Sequence, residues 1–171
     1  MKTIEIRRHS IRSGQNLSQN GVNLARMIGD EIGPFDRVIT SPIPRAVHTA
    51  IAMGFAVNET ADILASLETG NLAIDCPYGA SFADFSKIGK RNQASTQLLI
   101  KLSAFYNQLV KSLPEGGSAL VVNHSGMVEY STVACLPNSE LDHLGNGINY
   151  CEGVRLTWEN GVFTHADIIR V

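Results

Sequence analysis

"RVITSPIPRAVHTA", residues 37–50, runs from a short apolar strand directly into a segment of helix-starting residues. Ser41 can cap a helix, and Pro42 suits the first helical position, where an N–H would lack a partner in any case. Pro44 still falls among the early positions whose N–H groups have no partner within the helix. The stretch therefore predicts a sharp turn from a strand into a helix.

Two further segments place polar residues at the end of a strand. Residues 3–7 alternate apolar and charged side chains, as a short strand does, and lead into Arg8 and His9. Residues 119–122 form an apolar run that leads into a polar turn containing His124. Three predicted strands of this chain thus end at charged or potentially catalytic residues.

The rest of the chain predicts helices between these strands and a hairpin after them. A helix capped by Ser18 ends at Gly33-Pro34, and a leucine-rich stripe over 98–113 predicts a long helix. The alternation favours an α/β fold, a three-layer α/β/α sandwich with a mostly parallel central sheet and an antiparallel C-terminal hairpin. The other predicted elements are a third strand over 61–67, a loop over 69–92 with one short helix, a helix over 126–135 and a hairpin over 150–171 that turns at "ENG".

Length and composition are those of one globular domain over residues 1–171. Hydrophobic residues make up 44% and charged residues 18% of the chain, and no apolar run approaches the ~20 residues of a membrane span. Charged residues also interrupt the start of the chain, where a signal peptide needs an apolar core, so we expect a cytoplasmic protein with no membrane partner. The net charge of −2 argues against a nucleic-acid partner, which needs a basic face.

Cysteines and histidines give no sign of a bound metal. Cys76, Cys135 and Cys151 are widely spaced without a C-x-x-C pair, so we expect reduced structural thiols. No two histidines have close ligand spacing, and neither G-x-G-x-x-G nor G-x-x-x-x-G-K-S/T occurs. We therefore expect no metal and no nucleotide cofactor.

The three strand ends together favour a phosphate site. In a largely parallel sheet the ligand crevice lies beyond the carboxyl ends of the strands, which would bring Arg8, His9, residues 41–45 and His124 to one edge. Arginines offer planar donor forks to a tetrahedral oxyanion, and a helix N-terminus adds backbone N–H groups. An imidazole can attack phosphorus or donate to its oxygens.

Three motifs also resemble a known family. "RRHS" (7–10), "ITSPIPRAVHTA" (39–50) and "LVVNHSG" (120–126) together resemble the signatures of the histidine phosphatase superfamily, the phosphoglycerate-mutase-like proteins. Those signatures are Arg-His-Gly after the first strand, Ser-Pro-x-x-Arg-Ala-x-x-Thr-Ala after the second, and a late strand that ends in another histidine. The resemblance is clear over residues 3–54 and 118–136, weak between them, and suggests a short single-domain member.

The resemblance implies a role for each matching residue. His9 would be the nucleophile that takes the phosphoryl group as a phosphohistidine. Arg8 and Arg45 would hold the phosphate oxygens, and His124 would donate to them as charge builds in the transition state. Water would then hydrolyse the phosphoenzyme without a metal or another cofactor.

The superfamily also uses an acid, often a glutamate in the middle of the chain, to protonate the leaving oxygen. The resemblance points to Glu68 in "ASLETG". Glu129 is the alternative, although it could instead face solvent. Ser10 stands where the family usually has glycine, and this departure adds a side chain close to the phosphate.

Several polar residues near the motifs are expected to take no part in the chemistry. Arg7 should point away from Arg8, because side chains alternate along a strand, and should face solvent. His48 is expected to be structural or a wall of the pocket. His143 and His165 are expected to be ordinary surface residues.

The short interval between Arg45 and His124 leaves no room for a large cap over the site. A mutase must keep water from its phosphoenzyme, so we expect a metal-independent phosphomonoester hydrolase with an open pocket instead. Its substrate would be a small phosphorylated metabolite or a phosphoprotein. Two alternatives stay open, namely a phosphate-dependent binding or regulatory module with weak or no turnover, and a phosphoglycerate-mutase-type phosphotransferase. The sequence does not indicate the oligomeric state.

Overall fold

Strands and helices alternate along most of the chain. The computed structural model describes residues 1–68, 74, 76, 77, 79–91 and 93–171. The strands in these residues are β1 (Lys2–Arg8), β2 (Arg12–Ser13), β3 (Asn16–Leu17), β4 (Arg37–Thr40), β5 (Glu59–Thr60), β6 (Ser118–Asn123), β7 (Gly153–Glu159) and β8 (Val162–Ile169). The helices are α1 (Gln19–Gly29), α2 (Pro44–Ala52), α3 (Phe82–Ile88), α4 (Gln93–Ser112) and α5 (Met127–Cys135), with 3₁₀ turns at Asp62–Ala65 and Asp142–Leu144.

The central sheet has six strands in the order β5-β4-β6-β1-β7-β8. The pairs among β5, β4, β6 and β1 are parallel, whereas β7 pairs antiparallel with both β1 and β8. The turn between β7 and β8 places Asn160 at φ 53° and Gly161 at φ 86°, the left-handed backbone that an Asn-Gly turn adopts. The predicted mostly parallel sheet with an antiparallel hairpin is confirmed.

Helices cover the sheet on both faces. On one face, Ile4, Ile6 and Val121 belong to the larger core, which α3, α4 and α5 complete. On the other face, Leu120 and Val122 pack in a smaller core with α1 and α2. The strand β6 is buried on both faces, which explains its continuous apolar run, and the predicted three layers are confirmed.

The register of the parallel strands brings their carboxyl ends together. Arg8 at the end of β1 pairs with Asn123 at the end of β6, and Thr40 at the end of β4 pairs with the neighbouring residue of β6. Hydrogen bonds continue past the strand ends, because the N–H of His9 donates to the Asn123 carbonyl and the N–H of Ser41 donates to the Val122 carbonyl. The residues that follow the three strands therefore lie at one edge of the sheet.

The helix α1 begins where the sequence predicted and ends earlier. Ser18 is its N-cap, as predicted, and the Ser18 hydroxyl accepts from the N–H of Gly21. The helix ends at Gly29, however, and not at Gly33-Pro34. A Cβ on Gly29 would lie 2.0 Å from the Met53 carbonyl oxygen, so glycine allows this close approach, and it also weakens the helix at that point.

The predicted third strand over 61–67 is wrong. Only the two residues of β5, which precede this segment, pair with β4. Asp62–Ala65 then forms a 3₁₀ turn that buries Leu64 and Ala65. A short apolar run does not distinguish a strand from a helical turn by periodicity alone, and here burial is reached through the turn.

The helix α2 begins two residues later than predicted. Its N-cap is Ile43, in an extended conformation at φ −70° and ψ 130°, and Pro44 is its first residue. A residue that precedes proline is disfavoured in the helical region, so Ile43 cannot continue a helix into Pro44. Ser41 is thereby left outside the helix and free to contact other elements.

The predicted long helix over 98–113 is confirmed and begins earlier, since α4 starts at Gln93. Within the predicted loop over 69–92, the short helix is α3, whereas residues 69–73, 75, 78 and 92 lie outside the described part of the chain. None of the helices in the described residues is long and apolar enough to cross a membrane.

Candidate active site

Four elements bring the predicted site residues to the carboxyl edge of the sheet. Arg8 ends β1 and His9 follows it, Arg45 lies in the first turn of α2, and His124 follows β6. The ring centroids of His9 and His124 are 5.3 Å apart in an edge-to-face arrangement. Glu68 reaches the same place from the segment after the Asp62–Ala65 turn.

His9 has a defined tautomer. Its Nδ1 lies 2.8 Å from the Ser10 carbonyl oxygen, which can only accept, so Nδ1 carries the proton. Its Nε2 accepts from Nε–H of Arg45 at 3.1 Å and therefore presents a lone pair. Burial lowers the pKa of His9 to about 3 against the opposing effect of the Ser10 carbonyl, and the electrostatic interaction with His124 and the positive charges of Arg45 and Arg8 lower it further. His9 is thus a neutral imidazole with an unprotonated Nε2.

His124 is anchored through one ring nitrogen. Its Nε2 lies 2.8 Å from the Ser41 hydroxyl, which also accepts from the N–H of Ile43. Nδ1 is buried, has no hydrogen-bond partner among the described residues, and lies 3.9 Å from a Glu68 carboxylate oxygen. Burial lowers the pKa of His124 to about 3, with smaller contributions from two arginines. When the Ser41 hydroxyl donates to Nε2, the ring proton sits on Nδ1.

Arg45 links three of the site's side chains. In addition to His9, its guanidinium donates to the side-chain oxygen of Gln15 at 2.9 Å and forms an ion pair with the Glu68 carboxylate. Arg45 is buried, whereas the Glu68 side chain is 34% exposed. Glu68 therefore lies at the open side of the site, between Arg45 and His124.

Arg8 is held by a loop that comes from far along the chain. Its Nη1 donates to the Ile148 carbonyl at 3.1 Å, and its guanidinium carbon lies 4.3 Å from the centroid of the Tyr150 ring. The same ring lies 5.8 Å from the His9 ring. A cation over an aromatic face is attracted by the ring quadrupole, so Tyr150 both orients Arg8 and forms a wall beside His9.

Glu129 does not face solvent, in contrast to one of the sequence-based expectations. Its side chain is buried, and its carboxylate accepts from the N–H of Gly126 at 2.8 Å and from the N–H of Ile148 at 3.2 Å. Burial raises the pKa of Glu129, and these backbone hydrogen bonds oppose that rise. Its contacts are structural, since they join the start of α5 to the loop that holds Arg8.

The side chain of Ser10 contacts the helix α1. Its buried hydroxyl donates to the Gly21 carbonyl on α1 at 2.7 Å, and its N–H donates to the Thr49 hydroxyl at 2.9 Å. Both contacts fix the Ser10 carbonyl that accepts from His9. The serine therefore helps to fix the orientation of the His9 ring through the Ser10 carbonyl.

Arg7 is buried, so the prediction of a solvated side chain is wrong. It points away from Arg8, as expected, but it forms an ion pair with Glu5 at 2.6 Å and donates to the Cys151 carbonyl at 2.7 Å. The strand β1 lies inside the sheet with a layer of helices on each face, so a charged side chain there must find its partner within the protein.

Sequence analysis missed two residues that contact the site, Gln15 and Tyr150. Neither directly follows a predicted strand or belongs to a motif, so their positions carried no signal. His48, His143 and His165 are exposed.

Lowering the pH should destabilise the fold through His9 and His124. In the unfolded chain both imidazoles take up a proton near pH 6.5, whereas in the folded protein the pKa of each is about 3. The folded state binds fewer protons between these values, so stability rises with pH across this window and is lost as the pH falls through it. Each histidine contributes a slope of up to about 1.4 kcal/mol per pH unit.

Urea unfolding at a series of pH values from about 4 to about 7 measures this slope. His9→Ala should flatten it, because one of the two buried imidazoles is gone. His165→Ala is the control, since His165 is exposed. An unchanged slope in His9→Ala would contradict the assignment of a buried neutral imidazole.

Comparison with known proteins identifies the fold. The sequence matches no family model and no curated protein. The phosphoserine phosphatase of Entamoeba histolytica in complex with 3-phosphoglyceric acid is 14% identical, with a TM-score of 0.71 over 100% of this chain and 98% of its own. Mycobacterial glucosyl-3-phosphoglycerate phosphatase in complex with VO3 is 15% identical, with a TM-score of 0.70 over 99% and 98%.

Phosphoglycerate mutase from Bacillus anthracis is also similar in structure, at 14% identity and a TM-score of 0.63 over 95% of this chain and 90% of its own. These neighbours are phosphatases and a mutase that share one architecture. The chain therefore has the fold of the histidine phosphatase superfamily, as the motifs suggested.

Proposed function

We propose that this protein is a phosphomonoester hydrolase that acts through a phosphohistidine on His9. The observation that carries the proposal is the unprotonated Nε2 of His9, which is directed at Arg45 and lies beside the His124 ring. A neutral imidazole is a nucleophile, and the cationic groups around it are the donors that a transferring phosphoryl group needs.

In the first step, Nε2 of His9 attacks phosphorus, and the bond from phosphorus to the ester oxygen breaks with its electron pair on that oxygen. Arg8, Arg45 and Nδ1–H of His124 bind the other phosphate oxygens. Glu68 supplies the proton that the leaving oxygen takes. Water then attacks phosphorus, gives its proton back to Glu68, and releases phosphate and the free imidazole.

Glu68 must exchange partners during this cycle. Without substrate its carboxylate is paired with Arg45 and lies near His124, the two donors that a phosphate would use. Substrate binding would therefore displace the Glu68 carboxylate from Arg45, and Glu68 would take from solvent the proton that it gives to the leaving oxygen.

The substrate class is a small phosphorylated metabolite or a phosphoprotein. Among the described residues from 61 to 91, the chain contains a 3₁₀ turn and the seven-residue helix α3, which do not amount to a large cap. An open site admits water to the phosphoenzyme, which favours hydrolysis over transfer to a second metabolite. The positive charge comes from the protein's own arginines, so the proposal requires no metal.

Trapping of the phosphoenzyme tests the proposal. Brief incubation with a ³²P-labelled phosphomonoester in EDTA, followed by an alkaline quench, should leave label on the peptide that contains His9. The label should disappear in acid, since phosphohistidine is acid-labile. Steady phosphate release without any such label would contradict covalent catalysis.

Two other outcomes would favour the alternative functions. Tight phosphate binding without turnover would indicate a binding or regulatory module. Passage of the label to a second metabolite faster than to water would indicate a mutase-type phosphotransferase.

A further inference from the structure

Residues 145–152 form a loop that contacts both the side chain and the backbone of Arg8. The Ile148 carbonyl accepts from Arg8 Nη1 at 3.1 Å, and the Tyr150 ring lies under the guanidinium. The Glu152 carbonyl accepts from the backbone N–H of Arg8 at 2.9 Å. Arg8 Nε is buried without a hydrogen-bond partner among the described residues, so the 145–152 loop provides most of what orients this side chain.

The loop is itself held by an arginine outside the site. Arg170, which follows β8, forms an ion pair with the Glu152 carboxylate at 2.7 Å. Its guanidinium also donates to the carbonyls of Asn146 at 2.8 Å and Gly147 at 3.2 Å. The same Glu152 carboxylate accepts from the N–H of Asn149 at 2.7 Å. Arg170 and Glu152 thus bind the loop on both sides of Ile148.

We propose that Arg170 and Glu152 are positioning residues for the binding of phosphate by Arg8. Neither side chain has a contact with His9 or His124 among the hydrogen bonds and ion pairs described for them. They act by fixing the 145–152 loop, which in turn fixes the guanidinium of Arg8. The inference rests on the proposed phosphate site. It adds two residues outside the sequence motifs that hold one of the phosphate-binding side chains in place.

The exposed fractions of Arg170 and Glu152 bear on whether the pair positions Arg8 or mainly stabilises the fold. The Arg170 side chain is 41% exposed and the Glu152 side chain is 8% exposed. Solvent screens the exposed guanidinium of Arg170, and the buried Glu152 carboxylate keeps the N–H of Asn149 as a partner when Arg170 is removed, which limits the loss of stability. A small geometric change at the loop, in contrast, acts directly on a guanidinium that must meet phosphate within hydrogen-bonding distance.

Isothermal titration calorimetry with orthovanadate tests the inference on the purified full chain. Arg8→Ala should weaken vanadate binding by roughly tenfold or more, as expected for loss of a charged hydrogen bond. Arg170→Ala should weaken it by roughly fivefold, with little change in Tm. In the double variant, Arg170→Ala should add nothing to the effect of Arg8→Ala, because its influence passes through Arg8.

Arg37→Ala is the matched control. Arg37 forms a 2.7 Å ion pair with Glu59 and is 36% exposed, much like Arg170, but it lies at the start of β4 and away from the carboxyl edge. This variant should bind vanadate as the wild type does. Glu152→Gln, which keeps the shape of the side chain and removes its charge, provides a second test and should weaken binding in the same direction as Arg170→Ala.

The outcomes distinguish this inference from the proposed function. Wild-type affinity in Arg170→Ala, or additive losses in the double variant, would overturn the positioning role while the loss in Arg8→Ala upholds the phosphate site. Wild-type affinity in Arg8→Ala would overturn the phosphate site and the positioning role together. A loss in Arg170→Ala that is matched by an equal loss in Arg37→Ala would show a non-specific effect of surface charge and would also overturn it.

Discussion

Replacing His9 by alanine is expected to lower kcat by about 10⁴-fold or more, the scale seen when a covalent nucleophile is removed from an enzyme. The loss should appear on an activated aryl phosphate, whose leaving oxygen needs no proton, because attack on phosphorus itself is missing. Steady-state release of the aryl alcohol measures it directly. Free imidazole added to His9→Ala should restore part of the activity, since it can fill the space left by the side chain.

His165→Ala is the control for this experiment, because His165 is exposed and contacts Asp167 rather than the site. It should keep wild-type kcat. Far-UV circular dichroism of His9→Ala should match that of the wild type. This would show that the variant is folded and that its loss of activity is not caused by unfolding. Activity in His9→Ala close to that of the wild type would exclude His9 as the nucleophile.

The convergence of Arg8, His9 and His124 could be predicted from the sequence because parallel strands align their ends. Arg8 ends β1, His9 follows it and His124 follows β6, and parallel strands in one sheet place such residues at one edge. Arg45 could be predicted for a related reason, since the proline-rich segment before it starts a helix at that edge. The register of the strands in the sheet sets the positions of the residues at their ends.

The contacts of Gln15, Tyr150 and Arg170 could not be predicted in this way. Each lies in or next to a loop, and each reaches its partner across a long interval of sequence, as Arg170 does at Asn146 and Glu152. No periodicity or short motif marks such contacts, because they depend on the path of the loop. Sequence analysis therefore identified the groups proposed for the chemistry and missed those that hold them.

Glu5 and Arg7 show where an alternating pattern misleads. Charged residues that alternate with Ile4 and Ile6 indicate a strand with one solvated face. The strand β1 is instead covered on both faces, and the two charges pair with each other while Arg155 adds a second bond to Glu5 at 2.9 Å. An ion pair between positions i and i+2 could be predicted from the sequence, but the burial of both side chains could not.

Glu68 carries the second large expected effect, which depends on the leaving group. An alkoxide is too basic to leave without a proton, whereas an activated aryl oxide leaves as an anion. Glu68→Gln should therefore lower kcat/KM for an alkyl phosphate by about 10²- to 10⁴-fold, the range of general acid catalysis, and for an aryl phosphate much less. Glutamine keeps the size of the side chain and can still contact Arg45, so the comparison isolates the proton.

Two further variants decide which carboxyl group is the acid. Arg45→Ala should lower both rates to a similar degree, because it removes charge stabilisation from the phosphoryl group whatever the leaving group is. Glu129→Gln should not lower the rate on alkyl phosphates more than the rate on aryl phosphates, since two backbone N–H groups already bind the buried Glu129 carboxylate. Equal losses on both substrates in Glu68→Gln would reject Glu68 as the acid. A selective alkyl loss in Glu129→Gln would assign the proton to Glu129 and require its loop contact with Ile148 to open during turnover.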